Sequence, residues 1–227
     1  SATEPIAAAT LAVPATTGAT VVSTATDAGA WDAYVEAHPA ATADHLWGWR
    51  DVFQSVFGQS SDYLVAMRDG TVAGVLPLVL FRSRLFGRFA VSVPFLNYGG
   101  LLADDDRVAA ALVAAATARA KEFGASHVEL RHRERQRPDL PVRQHKIGLS
   151  LPLPTSADEL WKTVDRKIRN QIRKAQKEGL EVRSGCGELV DAFYPVFARN
   201  MRDLGTPVYS RRLFSETLRR FPDRARV

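Results

Sequence analysis

Apolar positions in this chain switch between two periods, and the switches mark its elements. Thr20 to Thr24 (TVVST) is a β-rich run and predicts a first strand. From Asp27 to His38, Trp31, Tyr34 and Val35 share one face at helical spacing, with Asp27 as cap and Pro39 as stop. A second helix is expected from Thr42 to Phe57, where Leu46, Trp49, Phe53 and Phe57 recur at steps of three and four before Gly58. Tyr63 to Met67, the Asp69-Gly70 turn and Val72 to Phe81 predict a hairpin, with Pro77 marking an edge or bulge. Arg82 to Arg88 is a basic connector, and Phe89 to Val93 is another strand. An Ala-rich helix follows from Asp106 to Phe123, opened by Asp104-Asp105-Asp106 and closed by Gly124. His127 to Arg131 and Arg143 to Leu151 predict two further strands.

The most polarised stretch is Leu160 to Gly179. Leu160, Val164, Ile168, Ile172 and Ala175 form one stripe of a single expected helix, while Lys162, Arg166, Arg169 and Arg173 form another. Ser156 and Glu159 give it a capping box, and Gly179 gives it a stop. Beyond it, Leu180 to Arg183 reads as a strand, Glu188 to Leu204 as a helix disturbed by Pro195, and Arg211 to Phe221 as a helix capped by Ser210. Arg224 to Val227 looks like the opening of another strand, so the chain reads as truncated there. The order strand, helix, helix thus occurs twice. The expected organisation is a flexible lead-in over 1–19, a first domain over 20–155, a basic linking helix over 156–179 and the start of a second domain over 180–227. The fold class is α+β (α/β), with a mixed sheet flanked by helices.

Charge is concentrated rather than spread. Between Trp161 and Arg183 there are eight Lys or Arg against three acids, an excess that equals the +5 of the whole chain. Such a local field attracts phosphate-bearing partners, although a solvated face with no partner has the same pattern. The lone Cys186 excludes an internal disulfide and lies in a turn-like setting with no neighbouring His, which reads as a bystander. No run reaches the roughly 18 apolar residues of a membrane span, and the Ala/Thr/Pro-rich start lacks the features of a signal peptide. A cytoplasmic location is expected, without stable membrane insertion.

Val93 to Leu102 (VPFLNYGGLL) is the least generic loop. Its Gly99 and Gly100 allow positive φ or close approach to a ligand, and Phe95 and Tyr98 offer aromatic surface. A tight bend between strand and helix would use the same residues. The three aspartates after it lack metal-ligand spacing and a His partner, so no metal is expected.

Several stretches together resemble the FemAB-like aminoacyltransferases, especially those associated with PEP-CTERM/exosortase systems. These are Asp44 to Arg50 (DHLWGWR), Gly74 to Leu78 (GVLPL), Phe86-Gly87 and Ser92 to Gly100 (SVPFLNYGG), then Arg166 to Ala175 (RKIRNQIRKA) and Asn200 to Ser210 (NMRDLGTPVYS). The resemblance implies tandem GNAT-like domains, the second represented here only by its beginning. It implies transfer of an aminoacyl group from aminoacyl-tRNA to an amine of a nucleotide- or lipid-linked cell-envelope precursor, of peptidoglycan or exopolysaccharide, without a cofactor. In this reading Arg169, Arg173 and Lys174 bind phosphate of the precursor or tRNA. Tyr98, Gly99 and Gly100 line the acceptor cleft, and Arg50 lies near the position of an acceptor-binding lysine. Asp104 and Asp105 are weak candidates for a base, and no general base is identified. If both domains are needed, the chain alone is inactive.

Two other readings compete. An acetyl-CoA-dependent GNAT N-acyltransferase of polysaccharide synthesis would cradle pyrophosphate in a glycine-rich loop opening a helix, and no such loop is found. A non-enzymatic RNA-binding module would use the basic helix alone.

Overall fold

A computed structural model describes residues 18–83, 87–135, 137, 139–143 and 148–227. The chain begins with β1 (Thr20–Thr24), α1 (Ala28–Ala37), a 3-10 turn (Ala43–His45) and α2 (Gly48–Phe57). Next come β2 (Ser60–Ser61), β3 (Leu64–Arg68), β4 (Thr71–Leu76), β5 (Val79–Ser83), β6 (Gly87–Val91) and β7 (Leu102–Ala103). After α3 (Asp106–Phe123) and β8 (Val128–Glu129) follow α4 (Ala157–Thr163), α5 (Arg166–Lys177), α6 (Val190–Asp203) and α7 (Arg211–Arg220).

The strands form two sheets, ordered β1-β3-β4-β7 and β2-β5-β6-β8. Pro77 is where one becomes the other. It cannot donate to a ladder, so the expected strand over 72–81 splits into β4 and β5, one in each sheet. All pairings are antiparallel except β6 with β8, which is parallel. On one face, Leu64, Ala66, Leu76, Leu78 and Ala90 pack against Val108, Leu112, Ala116 and Ala120 of α3. On the other, Trp31 and Val35 of α1 pack with Tyr63, Val75 and Leu102, and Phe53 of α2 packs with Val79, Val91 and Val93.

The C-terminal helices are anchored through α7, which lies along α2. Phe221 sits so close to Gly48 that a Cβ there would lie 2.7 Å from its ring, and it meets Trp49 at 5.1 Å. Leu218 is buried, Arg220 bridges Asp51 at 2.5 Å, and Arg224 bridges Glu36.

Several expected elements take a different form. The single helix over 160–179 is two helices, because the backbone turns extended at Val164 and Asp165. Asp165 then caps α5 by accepting the Lys167 N–H at 2.7 Å. Ser156 caps α4 as expected, but Glu159 turns to the Thr155 hydroxyl. The helix expected from Thr42 begins as a 3-10 turn, and the α-helix starts only at Gly48. Leu180 to Arg183 forms no strand, and Leu180 and Val182 are exposed. Of the strand expected over 143–151, residues 144–147 lie outside the described residues, and the remainder is irregular. His127 to Arg131 shrinks to the two residues of β8. Arg224 to Val227 is irregular too, although Val227 and Gly185 exchange two backbone hydrogen bonds of 2.8 and 2.9 Å. Most of the lead-in (1–17) and the centre of the basic connector (84–86) lie outside the described residues.

The closest helix–sheet contact is at Gly74, where a Cβ would meet Val108 Cγ1 at 2.6 Å and the Leu102 carbonyl at 2.9 Å. Gly74→Ala therefore overpacks the α3 face and is expected to cost about 1–3 kcal/mol. Urea unfolding should show a lower midpoint with an unchanged slope; an unchanged midpoint would mean that α3 shifts freely on the sheet.

Candidate functional site

β6 and β8 are the only parallel neighbours among the described residues, and they part at their carboxyl ends. Their last ladder bond runs from the Ser92 N–H to the Glu129 carbonyl at 2.9 Å. One residue on, the Ser92 hydroxyl accepts the Arg131 N–H at 3.0 Å in place of a main-chain group. Beyond it the strands diverge into the 93–102 loop and the 130–135 segment. In open α/β sheets, crevices outside the carboxyl ends of parallel strands are the usual ligand sites.

Side chains from two directions hold this loop. The Asp44 carboxylate accepts the N–H groups of Asn97 and Tyr98 at 3.1 and 2.9 Å, and the Thr42 hydroxyl donates to the Tyr98 carbonyl at 2.8 Å. Arg131 donates to the carbonyls of Val93 and Leu96 at 3.1 and 2.7 Å, while its Nε pairs with Glu129 at 2.7 Å. His132 Nε2 accepts the Leu101 N–H at 3.1 Å. The 3-10 turn after α1 therefore clasps one side of the loop, and the segment after β8 clasps the other.

Two histidines, His45 buried and His132 half-buried, belong to this clasp. An amide N–H can only donate, so His132 Nε2 must be unprotonated, and so must His45 Nδ1, which accepts the Thr42 N–H at 3.1 Å. Burial pushes both imidazoles down, His132 to about 4, and for His132 the neighbouring His45 adds to the effect.

Gly99 and Gly100 are needed for packing within the chain. A Cβ on Gly100 would lie 2.2 Å from His132 Cδ2, and one on Gly99 would lie 2.3 Å from Val93 Cγ2. The loop's positive φ occurs instead at Phe95, φ 67°. Its ring is wedged against Phe57 at 4.4 Å, Phe81 at 6.1 Å and Tyr209 at 5.5 Å. Tyr98 is half-buried with its hydroxyl against Gly148.

The other residues expected at the site make contacts of their own. Arg50 rests over the Trp47 ring at 4.8 Å. Arg169 donates to the Trp161 and Lys162 carbonyls at 3.1 and 3.3 Å, locking α5 to the last turn of α4, and Arg173 lies over Trp161 at 5.4 Å. Lys174 is exposed, with a weak bridge to Glu178 at 3.7 Å. With Asp165, Arg166, Lys167, Asn170 and Gln171 it borders a shallow, open surface cleft on one face of α5. Among the described residues, no hydrogen bond, ion pair or ring contact joins α5 to the 93–102 loop. The two weak candidates for a base are both engaged. Asp104 accepts the Tyr34 hydroxyl at 2.8 Å. Asp105 caps α3 and pairs with Arg68 at 2.7 Å, and the α3 amides above all hold its carboxyl low.

Sequence reasoning missed Thr42, Asp44, Arg131 and His132. Thr42 was assigned to a helix cap and Asp44 to a motif, and neither role shows that both reach residues more than fifty positions away. The described residues hold no cluster of His, Cys, Asp and Glu fit for a metal ion.

No protein-family model and no curated protein matches the chain. Among solved structures, it is similar to one titled "Crystal structure of FemX", with a TM-score of 0.61 and 20% identity, over 88% of this chain and 54% of that one. The chain thus spans about half of FemX's length. The likeness shows the fold, an α+β architecture of GNAT-like type with two sheets flanked by helices.

Removing the Asp44 clasp in Asp44→Ala leaves two loop amides without their charged acceptor. Stability should fall by about 2–3 kcal/mol, and hydrogen exchange at the Asn97 and Tyr98 amides should accelerate more than at β3. Unchanged exchange there would show the loop to be held otherwise. The histidines set a pH dependence. Both have folded pKa values below the unfolded value of about 6.5, so the unfolded chain binds more protons in that range. Their contribution is complete above pH ~6.5 and is lost as the pH falls toward the folded value of about 4 for His132. Urea midpoints should decline between pH 6.5 and 4.5, above the range where Asp105 titrates; a flat profile would contradict the neutral pair.

Proposed function

We propose that the chain forms part of a FemAB-type aminoacyltransferase, which moves an aminoacyl group from aminoacyl-tRNA to an amine of a cell-envelope precursor. The observation that carries this reading is the FemX-like fold over 88% of the chain, together with the sequence stretches that resemble that family. An aminoacyl ester is already activated. The amine attacks the ester carbonyl, the carbon–oxygen bond to the tRNA ribose breaks, and the amine loses a proton. Holding the two reactants in line supplies much of the acceleration, and donors aimed at the developing oxyanion supply more. The clasped loop beyond β6 suits that task, because a loop fixed by side chains from both flanks presents a preorganised surface. In this reading Tyr98, with Gly99 and Gly100 behind it, borders the acceptor, and Arg50 lies further out on α2.

The cationic α5 supplies the grip on phosphate. Arg166, Lys167 and Lys174 border the open cleft on one of its faces, whereas Arg169 and Arg173 shape the helix pair that presents them. One observation favours a second reading, RNA binding without transfer: α5 is exposed along its length, and no polar or ring contact ties it to the loop among the described residues.

The two readings separate in an assay of labelled amino acid transfer from charged tRNA to envelope precursors, using the full-length gene product. Transfer is expected, with Arg166→Gln/Lys174→Gln lowering kcat/KM about ten-fold and flattening its loss with salt. Equal binding of charged and uncharged tRNA, with no transfer to any precursor, would overturn the transferase and leave the RNA-binding module.

A further inference from the structure

The second sheet also has a functional-looking end away from the loop. β5 and β6 pair with Arg82 directly opposite Arg88. Partners across strands share a face, and like charges placed so oppose the pairing. Both guanidinium groups lie by one aromatic ring, Phe123 at the end of α3, at 5.8 and 5.7 Å from its centroid. Arg88 is partly satisfied, donating to the Phe123 carbonyl at 3.1 Å. The Arg82 guanidinium has no hydrogen-bond acceptor, and neither arginine has a carboxylate within 4.0 Å among the described residues.

A cleft of about 320 Å³ opens beside them, lined by Gly58, Gln59, Ser60, Leu80, Arg82 and Phe123, with no acidic residue among the described ones. Gln59 is already committed. Its Oε1 accepts the Arg82 backbone N–H at 3.1 Å, and its Nε2 donates to the Phe57 carbonyl at 3.2 Å. The polar groups left facing the cleft are the Arg82 guanidinium and the Ser60 hydroxyl. Ser60 is paired in register with Leu80, two residues from Arg82, so these side chains share one face of the sheet. Among the described residues no carboxylate serves this exposed pair of cations, so an external anion finds both guanidinium groups available. A guanidinium fork matches the oxygens of a phosphate, and the space is at the lower end of small-ligand pockets, about 300–1,000 Å³.

We propose that Arg82, Arg88 and the Ser60 hydroxyl form an anion site for a terminal phosphate group, as in a phosphomonoester or pyrophosphate. The site is separate from α5 and from the 93–102 loop, and it stands independently of the transferase reading. The same chemistry is offered by a soluble metabolite and by a lipid headgroup.

Calorimetric titration with inorganic pyrophosphate and with glycerol 3-phosphate, at matched ionic strength against chloride, tests the soluble source. Flotation with phosphatidylcholine vesicles carrying phosphatidic acid tests the headgroup. Saturable binding of at least one of the three is expected, and which one binds identifies the source. Arg82→Gln should weaken it about ten-fold without lowering the melting temperature appreciably, because that guanidinium gives up only a long contact with the Phe123 ring and a like-charged neighbour. Arg166→Gln/Lys174→Gln on α5 should leave it intact. No binding of any probe, equal affinity in Arg82→Gln, or loss only in the α5 variant would overturn the site.

Discussion

The parting of β6 from β8 is the constraint on which the rest of the molecule depends. Parallel strands that stop pairing leave main-chain donors and acceptors open at their carboxyl ends, and each that is buried must find a partner. Here the substitutes are side chains. The Ser92 hydroxyl fills the first gap, Arg131 takes two loop carbonyls, Asp44 takes two loop amides, and Thr42 and His132 take one group each. These residues come from both sides of the sheet, so the loop is fixed only when both flanks are folded. The 3-10 turn before α2 follows from the same requirement. A regular helix from Thr42 would carry the Asp44 and Thr42 side chains around the helix axis and away from the loop.

Local chemistry makes most of the chain up to β8 legible. Asp27, Gly58, Asp105 and Gly124 cap and close helices where their residue types demand it, and Asp69-Gly70 makes the turn between β3 and β4. What was not legible depends on distant partners. Nothing near Asp44 in sequence shows that its carboxylate serves amides at 97 and 98, and nothing near Gly100 shows that His132 occupies the space of its side chain. The glycine pair suggests backbone freedom, but the limiting quantity is room. The basic stretch differs between sequence and structure for a related reason. Its stripe of Leu160, Val164, Ile168 and Ile172 is continuous in sequence, and periodicity alone does not register that Asp165 prefers to cap a new helix.

The break changes how the cations of this stretch are used. In one straight helix, Arg169 and Arg173 would stand in line with Arg166. In two helices, Arg169 satisfies carbonyls that the last turn of α4 leaves open, and Arg173 covers Trp161. Two of the cations thus build the shape, and the open cleft on α5 displays others. Ile168 and Ile172 stay largely uncovered, at 49% and 38% exposure, so little besides this polar clamp fixes the direction of α5.

Phe95 carries this logic across the molecule. A bulky residue with left-handed backbone sits roughly 1–2 kcal/mol above its relaxed state, and it stays there only while its ring is held. Two of its holders, Phe57 and Phe81, come from α2 and β5, but the third, Tyr209, immediately precedes the cap of α7. The strained residue of the loop thus rests in part on the segment that leads into α7, and the loop and the C-terminal helices share a packing contact.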